Sequence, residues 1–136
     1  MMTACGEPAQ GQDPVDTATA FVNEYSDWAQ DGYPSPIPAA LLARVDDSMQ
    51  RAIEEDQQWQ LQGHVRHEGP TRVAEAVLIQ ASDRQAIVAV TLDTSDLKVL
   101  AEGEATFMSE KRMHVTEFIL ERSDRWRVAD ARGGER

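Results

Sequence analysis

The sequence predicts an α+β fold in which N-terminal helices pack on one face of a curved antiparallel sheet of four to six strands. Apolar residues first recur at intervals of three and four, whereas from Trp59 onward they mainly alternate with polar residues. Short polar turns at 82–84 and 123–125 separate the alternating runs, which favours antiparallel neighbours. The 136 residues are the length of one domain, which we assign to residues 13–132, with a disordered tail predicted at 133–136.

The first helix is predicted from Asp13 to Gly32. Asp13 is a suitable N-cap, Pro14 suits the first helical position, and Gly32 is a common helix terminator. One apolar stripe runs along the segment: Val15, Ala18, Phe21, Val22, Tyr25, Trp28 and Ala29. Three prolines within residues 33–38 then exclude a regular helix, because each restricts the residue before it. They predict a hinge.

A second helix is predicted from about Pro38 to Asp56. Its apolar stripe consists of Leu41, Leu42, Val45, Met49, Ala52 and Ile53. The acidic residues 54–56 stand at its C-terminus, where the helix dipole disfavours negative charge. This pattern predicts a frayed last turn.

Alternating runs predict the strands. Trp59, Leu61 and Val65 share one side of the first run, in which Gly63 could mark a bulge. Residues 94–99 are predicted to form a loop, and residues 100–113 are ambiguous, one interpretation being a strand with a bulge near Gly103. The predicted strands cover residues 59–67, 71–81, 85–93, 113–122 and 126–132.

Several classes of function find no support in the sequence. The net charge of −11 opposes binding to nucleic acid, which requires clustered lysine and arginine. His64 and His67 would point to opposite faces of a strand, so they predict no shared metal ion. We find no phosphate-binding glycine loop and no nucleophile motif, and we predict no cofactor and no catalytic residue.

Residues 2–6, Met-Thr-Ala-Cys-Gly, resemble the end of a bacterial lipoprotein signal peptide. Cys5 is the only cysteine of the chain, and the segment after it has the composition of a flexible linker. The resemblance implies a lipid on Cys5 and a location outside the cytoplasmic membrane, with residues 1–12 as lipobox remnant and tether. Met2 stands where leucine is usual, and no basic and apolar segments precede it. The alternative is an incidental thiol in a cytoplasmic protein.

The predicted order of elements and the final hairpin at 119–132 are typical of one superfamily. In that hairpin an apolar strand and a polar turn precede Trp126, Val128 and Asp130. Residues 14–132 thereby resemble the nuclear transport factor 2-like superfamily, whose cystatin-like α+β cone encloses a pocket between helices and sheet. Because this superfamily hosts enzymes, ligand-binding domains and interaction domains, the resemblance leaves the function open.

Two sets of residues are candidates for that pocket. Tyr25, Trp28 and Trp59 could line it for a small apolar ligand, although their spacing also suits plain core packing. Three carboxylates interrupt apolar faces: Glu75, Glu117 and Asp130. On the inside of the cone they could act as acid and base, as in an isomerase or cyclase. On the outside they would pair with arginines.

Residues 73–81 and 85–92 are apolar on both predicted faces, so the sheet face away from the helices needs a cover. We therefore expect a homodimer or a protein partner there. The first hypothesis is a non-enzymatic, extracytoplasmic, lipid-anchored module for ligand binding or protein assembly. The alternatives are an isomerase or cyclase with carboxylates in the cone, and a cytoplasmic ligand-binding protein.

Overall fold

Three helices precede seven strands in the computed structural model, which describes residues 13–102, the backbone of 104–107, and residues 112–133. Cys5, the predicted tether and Gly103 lie outside these residues. The helices are α1 (Pro14–Gln30), α2 (Ala39–Leu42) and α3 (Asp47–Gln62). The strands are β1 (Val65–Glu68), β2 (Arg72–Ala81), β3 (Gln85–Asp93), β4 (Lys98–Ala101), β5 (Glu104–Phe107), β6 (Met113–Arg122) and β7 (Trp126–Gly133).

Helix α1 begins and ends as its sequence predicts. The Asp13 carboxylate accepts a hydrogen bond from the backbone N–H of Val15 at 2.8 Å, and Pro14 occupies the first turn. After the last helical residue, Gly32 adopts a left-handed φ of 95°. Most of the predicted apolar stripe is buried, so α1 is anchored along its whole length.

The predicted second helix is divided into α2 and α3. At the division, the N–H of Val128 donates to the carbonyl of Arg44 at 2.7 Å, and the N–H of Asp46 donates to the carbonyl of Val128 at 3.0 Å. The Asp46 side chain then accepts from the N–H of Met49 and begins α3. This segment thus covers the outer edge of β7.

Helix α3 continues to Gln62, six residues beyond the predicted end at Asp56. The predicted strand at 59–67 is therefore wrong for its first six residues, and the predicted frayed turn is an ordered part of the helix. Gln57, which is 5% exposed, holds this part in place by donating to the carbonyl of Tyr33 at 3.0 Å. A tertiary hydrogen bond thus overrides the unfavourable charge at the helix end.

The strands form two antiparallel sheets instead of the single sheet predicted. The larger sheet has the order β2-β3-β6-β7, and the smaller has the order β1-β4-β5. Strand β4 lies partly in the predicted loop and pairs Leu100 with Arg66 of β1. The α+β class, the N-terminal helices and the curved antiparallel sheet are confirmed.

The core lies between α1, α3 and one face of the larger sheet, which we call the inner face. Alternate residues of β3 are buried on this face: Ala86, Val88 and Val90. On β6, Phe118 pairs with Val88 and its ring meets that of Phe21 edge-on, with centroids 5.6 Å apart. The opposite side of the sheet is the outer face.

Candidate functional site

A cavity of about 230 Å³ opens between α1, α3 and the inner face of the larger sheet. Its lining is almost entirely apolar. Two residues come from α1, four from α3 and one each from β6 and β7: Phe21, Tyr25, Met49, Ala52, Ile53, Asp56, Phe118 and Ala131. The rings of Phe21, Tyr25 and Phe118 line it, and Ala131, whose side chain is a single methyl group, leaves space on the sheet side.

One polar pair closes this cavity. The Tyr25 hydroxyl donates to Oδ2 of Asp56, and the Gln60 amide donates to Oδ1 of the same carboxylate at 3.1 Å. Burial, followed by the hydrogen bond to Asp56, raises the pKa of Tyr25 well above its usual range. The hydroxyl therefore remains a donor at every pH the protein encounters, and the pair joins α1 to α3.

An aromatic cluster continues from Tyr25 away from the cavity. The Trp28 ring meets Tyr25 edge-on at 5.6 Å and Tyr33 at 5.2 Å, and Tyr33 meets the His67 ring at 5.6 Å. The Tyr33 hydroxyl lies 3.0 Å from Nε2 of His67. Burial raises the pKa of Tyr33 and lowers that of His67. A neutral imidazole nitrogen can accept a hydrogen bond from the Tyr33 hydroxyl, so this contact joins β1 to the hinge without adding charge.

The structure separates the three aromatic residues that the sequence proposes for a pocket. Tyr25 lines the cavity. Trp28 is 2% exposed in the core, where its Nε1 donates to the carbonyl of Pro34 at 2.9 Å. Trp59 is 76% exposed on α3 and takes no part in the cavity. The sequence placed Trp59 on a strand, and its helical position explains the difference.

Glu75, Glu117 and Asp130 lie on the outer face, away from the cavity. They pair across strands with Thr91, Ala89 and Ile119, which alternate with buried residues. Glu117 forms an ion pair with Arg132 at 3.4 Å. The three carboxylates therefore do not meet inside the cone.

Two bulges place Glu75 and Asp130 on the face opposite the apolar residues two positions before them. The register shifts between Val73 and Glu75, so Val73 packs on the core while Glu75 faces outward. A second shift follows Val128, which is fully buried, and Asp130 is exposed on the opposite face. A bulge adds one residue to a strand and inverts the alternation beyond it.

Asp56 is the cavity residue that sequence reasoning missed. It was interpreted as part of an acidic helix end. Its position nevertheless carries a signal, because it follows Ile53 by three residues and Met49 by seven, on the apolar stripe of α3. A carboxylate that continues an apolar stripe indicates a buried polar partner, which here is Tyr25.

The outer face carries a second candidate surface, which we call the outer patch: Val77, Ile87, Ala89, Val115 and Ile119. Val77 pairs with Ala89, and Ile87 pairs with Ile119. Val115 pairs with Thr91, the next outward-facing position of β3 after Ala89. Val77 and Val115 are 44% and 40% exposed. Glu117 lies between Val115 and Ile119 on the same face of β6, beside Ala89, and its carboxylate pairs with Arg132. Exposed aliphatic side chains around an ion pair suit an interaction surface.

Within residues 13–102 and 112–133, no group of three His, Cys, Asp or Glu side chains could hold a metal ion. None of the described helices combines the length and apolar character needed to cross a membrane. The described lining of the cavity is apolar apart from the Tyr25–Asp56 pair.

No family model matches the chain, and no curated protein matches it. Among solved structures it is similar to the intermembrane space region of the chloroplast protein ARC6, with a TM-score of 0.58 and 14% sequence identity. The match covers 88% of this chain and 95% of that chain. At this identity the likeness shows the fold alone, helices followed by a curved antiparallel sheet.

Proposed function

We propose that the domain is a non-enzymatic binding module that takes a small apolar molecule into the cavity between α1 and α3. The apolar cavity itself is the observation that carries this proposal. Pockets of this composition, with a few polar groups, are the usual sites for small ligands. As a divergent member of the nuclear transport factor 2-like superfamily, the domain would use the pocket position that the resemblance implies.

The size of the cavity sets the size of the ligand. At about 230 Å³ it lies below the 300–1,000 Å³ of drug-sized pockets, which favours a molecule of one or two rings. The rings of Phe21 and Phe118 offer edges and faces to an aromatic or aliphatic ligand. The Tyr25–Asp56 pair supplies the polar atoms of the lining, so hydrogen bonds to the ligand would form there.

The alternative of an isomerase or cyclase has less support. That chemistry uses a base and an acid whose pKa values lie near the working pH. Among the described lining residues, Asp56 is the one carboxylate, and it already accepts hydrogen bonds from Tyr25 and Gln60. The carboxylates that the sequence offered as an acid–base pair lie on the other face of the sheet.

Filling the cavity from the sheet side tests the proposal. Ala131 lies on the inner face, so the ring in Ala131→Phe enters the cavity. We expect binding of 5-fluoroindole, followed by fluorine NMR, to weaken at least about tenfold because the ligand and the ring compete for one space.

The control is Ala40→Phe, which adds the same ring at an exposed position on α2. It should bind as the wild type does. Equal affinity of the two variants, or no binding by the wild type, would contradict a cavity site. A circular dichroism melt of each variant distinguishes lost binding from lost folding.

We further propose that the chain is anchored outside the cytoplasmic membrane by a lipid on Cys5. The motif around the only cysteine and the linker composition after it support this. In a bacterial host expressing the full reading frame, we expect an alkyne analogue of palmitate to label the wild type in the membrane fraction. Cys5→Ala should be unlabelled and leave that fraction. An unmodified thiol on the native protein would contradict the anchor.

A protein partner or a second copy covering the outer patch is the remaining part of the proposal. The exposed aliphatic side chains of Val77 and Val115 support it. Val115 lies on β6, inside the sheet and away from both sheet edges, so Val115→Lys would place a charge in this patch without altering an edge.

A further inference from the structure

Strand β2 has an open side. It pairs with β3 along one side, and on the other side no backbone hydrogen bond joins it to any other part of the described chain. The opposite edge of the sheet is different, because both the N–H and the C=O of Val128 in β7 form hydrogen bonds with the segment around Val45. Within the described residues, one edge of the sheet is thus bonded at Val128, and the other offers N–H and C=O groups that have no backbone partner.

The free strand is apolar on both of its faces. Val77 on the outer face is 44% exposed, Leu78 opposite Val88 on the inner face is 45% exposed, and Ile79 in the second bulge is 55% exposed. Residues 76–81 contain no charged residue and no proline. Natural sheets usually protect a free edge with lysine, proline, bulges or a covering segment, because such an edge pairs with other strands. Of these, β2 has two bulges, which leave residues 75–78 between them as a regular stretch.

We propose that β2 pairs antiparallel with β2 of a second copy, joining two four-stranded sheets into one of eight strands. The occupant must be an extended strand, since main-chain groups supply the binding along a sheet edge. A copy of β2 matches this edge because it brings aliphatic side chains to both faces.

Charge selects the antiparallel direction. The charged residues of β2, Arg72 and Glu75, both lie in its first four positions. A parallel pair would bring each close to its own copy, and like charges side by side are destabilising. In an antiparallel pair centred on residues 76–81, the uncharged segments face each other and the charges lie at opposite ends. Each monomer carries a net charge of −11, so added salt should strengthen the dimer by screening repulsion.

Leu78→Lys tests the edge without altering the outer patch, because Leu78 belongs to the inner-face side of β2. We expect its dimer dissociation constant, measured by sedimentation equilibrium, to rise at least about tenfold, since each dimer loses two cross-strand contacts. Leu61→Lys is the matched control, with the same substitution at a leucine of similar exposure on α3, and should change the constant less than about twofold.

A second measurement locates the contact. In a Cys5→Ser background, oxidation should cross-link Leu78→Cys between copies and leave Ala40→Cys, on the exposed side of α2, as monomer. A monomeric wild type up to millimolar concentration, or a dimer that is weakened by Val115→Lys and not by Leu78→Lys, would overturn the proposal. Neither result bears on ligand binding in the cavity, so the two proposals fail separately.

Discussion

Trp28→Ala is expected to lower the free energy of unfolding by about 3–5 kcal/mol, the range for removal of a buried tryptophan. Three observations support this value. The ring is 2% exposed, it contacts Tyr25 and Tyr33 edge-on, and Nε1 donates to the carbonyl of Pro34. The alanine variant loses the packed ring and the hydrogen bond together. Urea denaturation followed by far-ultraviolet circular dichroism measures the loss.

Trp59→Ala is the matched control for this prediction. Its side chain is 76% exposed, so the change should stay within about 0.5 kcal/mol. If Trp28→Ala does not fold, Trp28→Phe keeps most of the ring and removes the donor. An intermediate loss of about 1–3 kcal/mol is then expected. Equal stability of the Trp28 and Trp59 variants would contradict the assignment of Trp28 to the core.

Trp28 also determines the shape of the candidate site. It lies between Tyr25, which reaches the cavity, and the hinge that carries Tyr33. Gln57 donates to the Tyr33 carbonyl from α3, and Tyr25 donates to Asp56 on the same helix. The separation of α1 and α3, and hence the cavity, therefore depends on Trp28 and Tyr33, which do not themselves line the cavity.

Local signals predicted the elements that local chemistry determines. Asp13, Pro14 and Gly32 define α1, and the turns at 82–84 and 123–125 mark the strands beside them. Strand β3 has the predicted bounds because a two-residue alternation and a turn agree there. In each case the decisive atoms lie within a few residues of one another in the chain.

Contacts between residues distant in the chain produced the differences between the predicted and the observed elements. Helix α3 extends past Asp56 because Gln57 and Asp56 find partners on the hinge and on α1. Strand β4 exists because it pairs with β1, about 30 residues earlier in the chain. Neither partner can be recognised from spacing within the segment itself.

The candidate site was predictable only in part. Tyr25 lies on the α1 stripe and could be selected, whereas Asp56 required recognition that a carboxylate continued the α3 stripe. All three outer carboxylates were assigned by counting alternate residues, and bulges near Ala74 and Ala129 invert that count for Glu75 and Asp130. A bulge at an alanine has no strong sequence signature. The face of a residue beyond it therefore cannot be predicted until the pairing register of the two strands is known.

Gly69→Ala is expected to lower the free energy of unfolding by about 3 kcal/mol or more, because two costs add. Gly69 has a φ of 83°, where an L-residue is strained by about 1–3 kcal/mol. A Cβ atom at this position would lie 1.9 Å from the carbonyl oxygen of Asp96, so the backbone must move. Denaturant unfolding at fixed pH measures the loss.

Substitutions at Gly32 and Gly133 separate the cost of backbone strain from the cost of the close approach to Asp96. At Gly32, φ is 95° and a Cβ would meet nothing within 4 Å, so Gly32→Ala should show the strain alone. Gly133 combines open space with no left-handed φ, and Gly133→Ala should be nearly neutral. The expected order of stability is Gly133→Ala, then Gly32→Ala, then Gly69→Ala. If the last two were equal, the close approach to Asp96 would contribute nothing. The turn between β1 and β2 would then be free to move relative to the turn before β4, and the smaller sheet would not be held by this contact.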